Sequence, residues 1–176
     1  MVNSEIGFSS LKSQGTTFPA SILEICKKSD GVILGPVDHN NYPPLKDGGL
    51  NPSGLLRSKL NLYANIRPAK KYPNVNGLVK NIDLIIVREN TEGFYRQIGG
   101  WENKGLENEM AWQRGEYTRK GTERIIRYAF ELAKKDSRDR VTMVDKSNVL
   151  RHGHQLWLDI FNEISEDYPE IEADHL

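Results

Sequence analysis

Ile82 and the run Leu84, Ile85, Ile86, Val87 form a short apolar stretch, largely β-branched, that stops at Arg88. Such a run is too short for an ordinary helix and has polar bounds, so it reads as a fully buried strand. A strand that ends in arginine sets a fixed cation at the C-terminal edge of its sheet, where open α/β sheets place their ligands. Asn90, Thr91 and Gly93 follow, and then Tyr95. The pattern points to an anion clamp with a titratable hydroxyl beside it.

Around this strand, helix and strand signals alternate. Residues 21–29 read as a short helix, with Lys27 and Lys28 suited to its last turn. Residues 31–35 read as a buried strand between glycines. The Asn-, Pro- and Gly-rich stretch 38–53 reads as loop. Residues 55–61 have helical spacing, and 63–67 read as a strand stopped by Pro68. Residues 72–80 form another loop. The polar, Gly-rich stretch 94–117 carries Trp101 and Trp112 and is too long for an ordinary connection, so it is either mobile or an arm. Residues 118–135 are the strongest helix. Its apolar face holds Ile125, Ile126, Ala129, Phe130, Leu132 and Ala133, and Arg124 and Arg127 fall on the solvated side. A strand over 140–145 runs into Lys146, and an amphipathic helix covers 156–164. This alternation predicts an α/β chain with parallel pairing.

The formal net charge is zero, so no excess of positive charge exists to hold a nucleic acid or an anionic membrane. A small ligand or a protein partner is favoured. The single cysteine, Cys26, excludes an intrachain disulfide and reads as a small buried hydrophobe. With no leader-like segment and no run of membrane-spanning length, the expected compartment is the cytoplasm.

Arg57, Arg67 and Arg88 sit where apolar segments meet loops. A guanidinium holds carboxylates through a rigid fork of donors, so several in one cleft suit a ligand with two or more carboxylates. Spacing alone favours unrelated surface arginines with carboxylate neighbours. Tyr95 and Lys146 are the candidate proton-transfer groups, because neighbouring cations tune both a phenol and an amine. Structural roles for both stay open on pattern alone. His152 and His154 are close in sequence, but a spacing of two points them to different helix faces, so solvated or capping roles are favoured over metal binding. Asp136 and Asp139 read as solvated charges.

Four ordered blocks carry a resemblance: GVILGP at 31–36, LYANIRPAK at 62–70, VRENTEGFY at 87–95 and VDKSNVL at 144–150. Together with the helix over 122–135, they resemble the β-decarboxylating dehydrogenases of the isocitrate, isopropylmalate, homoisocitrate, tartrate and D-malate group. The resemblance implies the central portion of that α/β fold, incomplete at both ends. Residues 1–60 would be a remnant of the cofactor-side domain. Residues 61–176 would be the substrate and dimerisation domain, with an arm at about 94–117 that pairs across a homodimer. It implies that Arg57, Arg67 and Arg88 bind the carboxylates of a small hydroxy di- or tricarboxylic acid. Asn51 and Ser53 would read its distinguishing side group. Tyr95 would protonate the enol, Lys146 would be the catalytic lysine, and Asn148 would lie near the nicotinamide. The implied reaction is NAD- or NADP-linked oxidation of a (2R)-hydroxy-3-carboxylic acid, followed by decarboxylation assisted by Mg²⁺ or Mn²⁺.

The chain also departs from that family. Its opening glycine-rich turn, its metal-binding aspartates and its adenine-side loop have no counterpart here, so the metal ligands are expected outside these residues. The expectation is therefore a partial enzyme, inactive alone. The alternative is a non-catalytic fragment or regulatory subunit that binds a polycarboxylate or a full-length partner. The segment 48–57 before Arg57 matches neither the isopropylmalate nor the isocitrate pattern cleanly.

Overall fold

In the computed structural model, which describes residues 1–79 and 81–176, the backbone divides into two units, Met1–Leu62 and Tyr63–Leu176.

The first unit holds three helices: α1 (Phe8–Gln14), α2 (Ala20–Lys27) and α3 (Pro52–Lys59). Asn51 caps α3 by accepting from the Gly54 N–H, and Pro52 opens the helix where no N–H is needed. Phe18, Cys26 and Leu56 form the buried centre. The Thr17 hydroxyl donates to the Leu50 carbonyl and accepts from the Leu50 N–H, both at 2.7 Å, which pins the loop ahead of α3. That loop contains two short 3-10 turns, His39–Asn41 and Leu45–Asp47. The strand expected at 31–35 does not form, and Ile33 is 91% exposed. A strand exists only through its ladder, and no segment of the described residues pairs with this one.

The second unit runs β1 (Ala64–Lys70), β2 (Asp83–Glu89), β3 (Gly93–Glu102), β4 (Met110–Glu116), α4 (Arg119–Lys135), β5 (Arg140–Met143), α5 (Gly153–Ser165) and β6 (Glu172–His175). Helices and strands mix as an α/β chain should, but among the described residues parallel pairing is confined to β5 with β6. β1 and β2 are antiparallel, as are β3 and β4. Among the described residues these are three separate two-stranded sheets. Of the loop expected at 72–80, residues 72–79 carry no helix or strand, and Lys80 lies outside the described residues.

Pro68 does not stop β1, which continues to Lys70. The Lys71 N–H donates to the Ile82 carbonyl, and antiparallel bonds alternate along the ladder. Pro68, opposite Ile85, therefore falls at a non-bonded position where its missing N–H is harmless. Nor is β2 buried on both faces: Leu84 is 40% and Ile86 51% exposed. Ala64 and Val87 pack against the core, while the alternate positions face away from it.

That core joins α4 to α5. Ile125, Ile126, Phe130 and Ala133 meet Ile160, Phe161 and Ile164, closed by Met143, Tyr168 and Ile171. The Phe130 ring stacks on Tyr168 at 5.1 Å and tilts against Phe161 at 5.4 Å. The amphipathic pattern of α4 thus places its apolar stripe as expected, with Ala129 and Leu132 only half-buried at its margin.

A clustered arginine face and a lysine turn as the candidate active site

Register places two of the three candidate arginines side by side. Asn65 lies opposite Arg88 and Arg67 opposite Ile86, so Asn65, Arg67 and Arg88 share the face of the β1–β2 sheet turned away from the core. Arg67 and Arg88 are diagonal neighbours there, a spacing of roughly 7–8 Å. The Arg67 Nε–H donates to Asn65 Oδ1 at 2.7 Å, and an Arg88 Nη2–H donates to Asn90 Oδ1 at 3.0 Å. The Arg88 guanidinium lies over the Tyr95 ring, 5.5 Å from its centroid. Arg88 Nε is buried with no acceptor among the described residues. A donor of this kind costs free energy until it is paired, and a carboxylate oxygen is the kind of acceptor that pairs it.

The turn between Arg88 and Tyr95 is built by Glu89. Its carboxylate is 9% exposed and accepts from the Thr91 N–H, the Thr91 hydroxyl and the Glu92 N–H, each at 2.7 Å. An Arg124 Nη2–H donates to the Thr91 hydroxyl at 2.7 Å and lies 3.5 Å from Glu89, with the guanidinium over the Tyr63 ring at 4.6 Å. Arg124, expected on the solvated side of α4, instead braces this turn. Glu92 carries the turn to the next element by accepting from the Thr118 N–H and hydroxyl at 2.9 and 2.7 Å. Thr118 in turn caps α4 through the Gly121 N–H. Gly93 then departs at φ 63°, packed against the Tyr117 ring, and β3 begins.

Glu followed by Asn and Thr is a local signal for side-chain-to-backbone bonding. It marks Glu89, which the sequence reading passed over. Arg124 has no such signal, because its partners are 33 and 35 positions away.

Lys146 and Asn148 are exposed on the turn that follows β5. Residues 149–153, just beyond them, line a cleft of about 480 Å³ with Phe94 and Tyr117; Lys146, Asn148 and Tyr95 are not in its walls. Arg57 lies in the last turn of α3, half-buried, with Asn51 at the N-cap and Ser53 in the first turn, both half-buried. The Asn51 side chain is therefore already engaged with its own helix.

Among the described residues no three His, Cys, Asp or Glu side chains gather to hold a metal ion. His154, in the first turn of α5, accepts a hydrogen bond from the Lys146 N–H in the preceding turn and caps no helix end. Asn148 presents an exposed side-chain amide on that turn. Beside it, burial pushes the Asp145 carboxyl up, but hydrogen bonds from His175 and Ser147 outweigh this and hold it below the usual carboxylate range. No helix of the described residues is long and apolar enough to cross a membrane.

The family model described as isocitrate/isopropylmalate dehydrogenase matches residues 1–176. The 3-isopropylmalate dehydrogenase of Thermobifida fusca (strain YX) is 36% identical over 179 aligned residues, covering 98% of this chain and 50% of that protein. The homoisocitrate dehydrogenase of Methanocaldococcus jannaschii is 37% identical, covering 99% of this chain and 51% of that protein. The crystal structure of isocitrate dehydrogenase from Methylococcus capsulatus superposes with a TM-score of 0.85 at 36% identity, over 97% of this chain and 49% of that one. The chain thus spans about half the length of the curated relatives it matches.

Proposed function

The chain belongs to the isocitrate/isopropylmalate dehydrogenase family, and from that premise we propose that Arg67 and Arg88 bind the carboxylates of a hydroxy di- or tricarboxylic acid. The observation that carries this reading is the Arg67–Arg88 face with its unpaired, buried Arg88 Nε–H. Arg57, Asn51 and Ser53 are proposed as further substrate contacts on the strength of their motif. Tyr95, against the Arg88 guanidinium, is the proposed proton donor to the enol that remains once carbon dioxide has left. Lys146 is the proposed base. The activity of the whole protein is then oxidative decarboxylation of a (2R)-hydroxy-3-carboxylic acid of the isopropylmalate, isocitrate or tartrate type, dependent on NAD(P) and a divalent metal.

The described residues hold no metal cluster. These 176 residues are therefore expected to bind the acid without turning it over. The same observation favours a second reading, a non-catalytic chain that binds a polycarboxylate or a full-length partner. The test is calorimetric titration with isopropylmalate, isocitrate and tartrate, alongside an assay for NADH or NADPH with Mg²⁺ or Mn²⁺. Binding of at least one acid is expected, with no reduced cofactor formed. Arg88→Ala should weaken that binding by about 30-fold or more, and Arg88→Lys by less. Turnover by the isolated chain would refute the inactivity, and the absence of binding to all three acids would refute the carboxylate reading.

A further inference from the structure

A lysine side chain is placed only as well as its backbone. The Lys146 N–H donates to His154 Nδ1 at 2.8 Å, and the Lys146 carbonyl accepts from the Val149 and Leu150 N–H groups at 3.0 and 2.8 Å. On the preceding side, Asp145 Oδ1 accepts from the Ser147 N–H at 3.0 Å and meets His175 Nε2 at 3.0 Å. His154 is half-buried in the first turn of α5, with its own N–H bonded to the Leu150 carbonyl at 3.0 Å. The Tyr117 ring meets the imidazole edge-on, at 5.5 Å and 88°. Gly153 admits that ring, because a Cβ there would collide with it. An N–H can be accepted at Nδ1 only while that nitrogen carries no proton.

We propose that His154 is a positioning residue for Lys146: the neutral ring fixes the lysine turn through the Lys146 N–H, and protonation of the ring releases it. On protonation Nδ1 becomes a donor facing a donor, and the bond is lost. The proposal deepens the functional reading and rests on it where it treats Lys146 as a proton carrier. It makes the placement of that carrier depend on pH through the backbone. The charged and titratable groups around the ring are Tyr117 from the connection before α4, Asp145 and Lys146 from the turn, Arg151 and His152 at the entry to α5, and His175 beyond Asp145. Burial pushes the Tyr117 phenol up, so it adds no charge as the solution is acidified. Asp145 spends its Oδ1 on Ser147 and His175.

The experiment is residue-resolved NMR on the full chain. It follows the His154 ring nitrogens together with hydrogen exchange of the Lys146 amide, with the Phe161 amide as the control for an intact core. At neutral pH, Nδ1 should show the shift of an unprotonated acceptor. As the ring protonates, protection of the Lys146 amide, measured relative to its intrinsic exchange, should fall roughly five- to tenfold, the weight of one hydrogen bond. His154→Ala should show the low protection at every pH. His154→Asn, whose Oδ1 takes the place of Nδ1, should keep the protection and lose its pH dependence. A protonated Nδ1 at neutral pH, Lys146 protection unchanged by ring protonation, or pH dependence persisting in His154→Asn would overturn the proposal. The readout is an amide, so its result does not depend on whether the chain binds a hydroxy acid.

Discussion

Glu89 does at one residue what a longer loop would do poorly. Its carboxylate takes three hydrogen bonds from the turn it precedes, so the chain passes from Arg88 to Tyr95 along one fixed course. Removing an acceptor that serves several half-buried donors leaves those donors unsatisfied. Glu89→Ala should destabilise the fold by about 3 kcal/mol in urea unfolding, and the Arg88–Tyr95 contact should loosen with it. A loss under about 1 kcal/mol would mean that the turn holds itself.

Asp145 works through charge. Its carboxyl is held below the usual range, so its contribution is present above the unfolded-state pKa and fades as the pH falls through the folded one. Asp145→Asn should therefore flatten the acid limb of stability against pH, seen as urea midpoints that move less than the wild type's on acidification. Equal slopes for the two proteins would rule this out. Arg67 and Arg88 were legible as cations at segment ends. That they share one sheet face was not, because facing depends on a register that spacing in sequence does not encode.

At the scale of elements, α4 couples the site to the core. Thr118 caps it, Glu92 grips Thr118, and Gly121 leaves room for the Glu92 carboxylate, into which a Cβ would run. Alanine normally favours a helix over glycine by about 1 kcal/mol. Here Gly121→Ala must push Glu92 off Thr118, so the variant should be less stable than the parent by about 1 kcal/mol. In a Glu92→Ala background the sign should reverse, and calorimetric unfolding of the four proteins of that cycle decides it. Further down the helix, Phe130 is fully buried between Tyr168 and Phe161. Phe130→Ala should lower the unfolding free energy by about 3–5 kcal/mol. The 3.6-residue period made this helix readable, since one strong stripe decides both its type and its face. The β1–β2 pair was harder to read. A strand with one open face usually alternates apolar and polar residues, but here the open face carries Leu84 and Ile86, so the run reads like a doubly covered parallel strand.

For the whole molecule, what was hidden in sequence is what depends on distant partners. The Glu172–His175 stretch carries no strand signal of its own and becomes β6 only because β5 lies beside it in parallel register, and residues 31–35 read as a strand but find no ladder among the described residues. The stretch 94–117 follows the same logic. It is ordered as the β3–β4 hairpin, with Gly100 opposite Trp112 and Trp101 opposite Ala111. Alternation therefore sends Met110 and Trp112 to one face and Trp101 to the other. Trp101 is 58% and Trp112 45% exposed, so both faces of the ribbon show large apolar groups. A two-stranded ribbon is marginal by itself, and exposed aromatic anchors on it mark an association surface. We therefore expect the hairpin to pair with its copy in a homodimer. Sedimentation equilibrium at micromolar to millimolar concentration should show a concentration-dependent dimer. Trp101→Glu and Trp112→Glu, each burdening one face with a charge, should each weaken it by tenfold or more, on the order of 1.4 kcal/mol. If only one substitution weakened the dimer, the partner would cover a single face of the ribbon. A monomer throughout, in the wild type as in the variants, would remove the arm from the interface altogether.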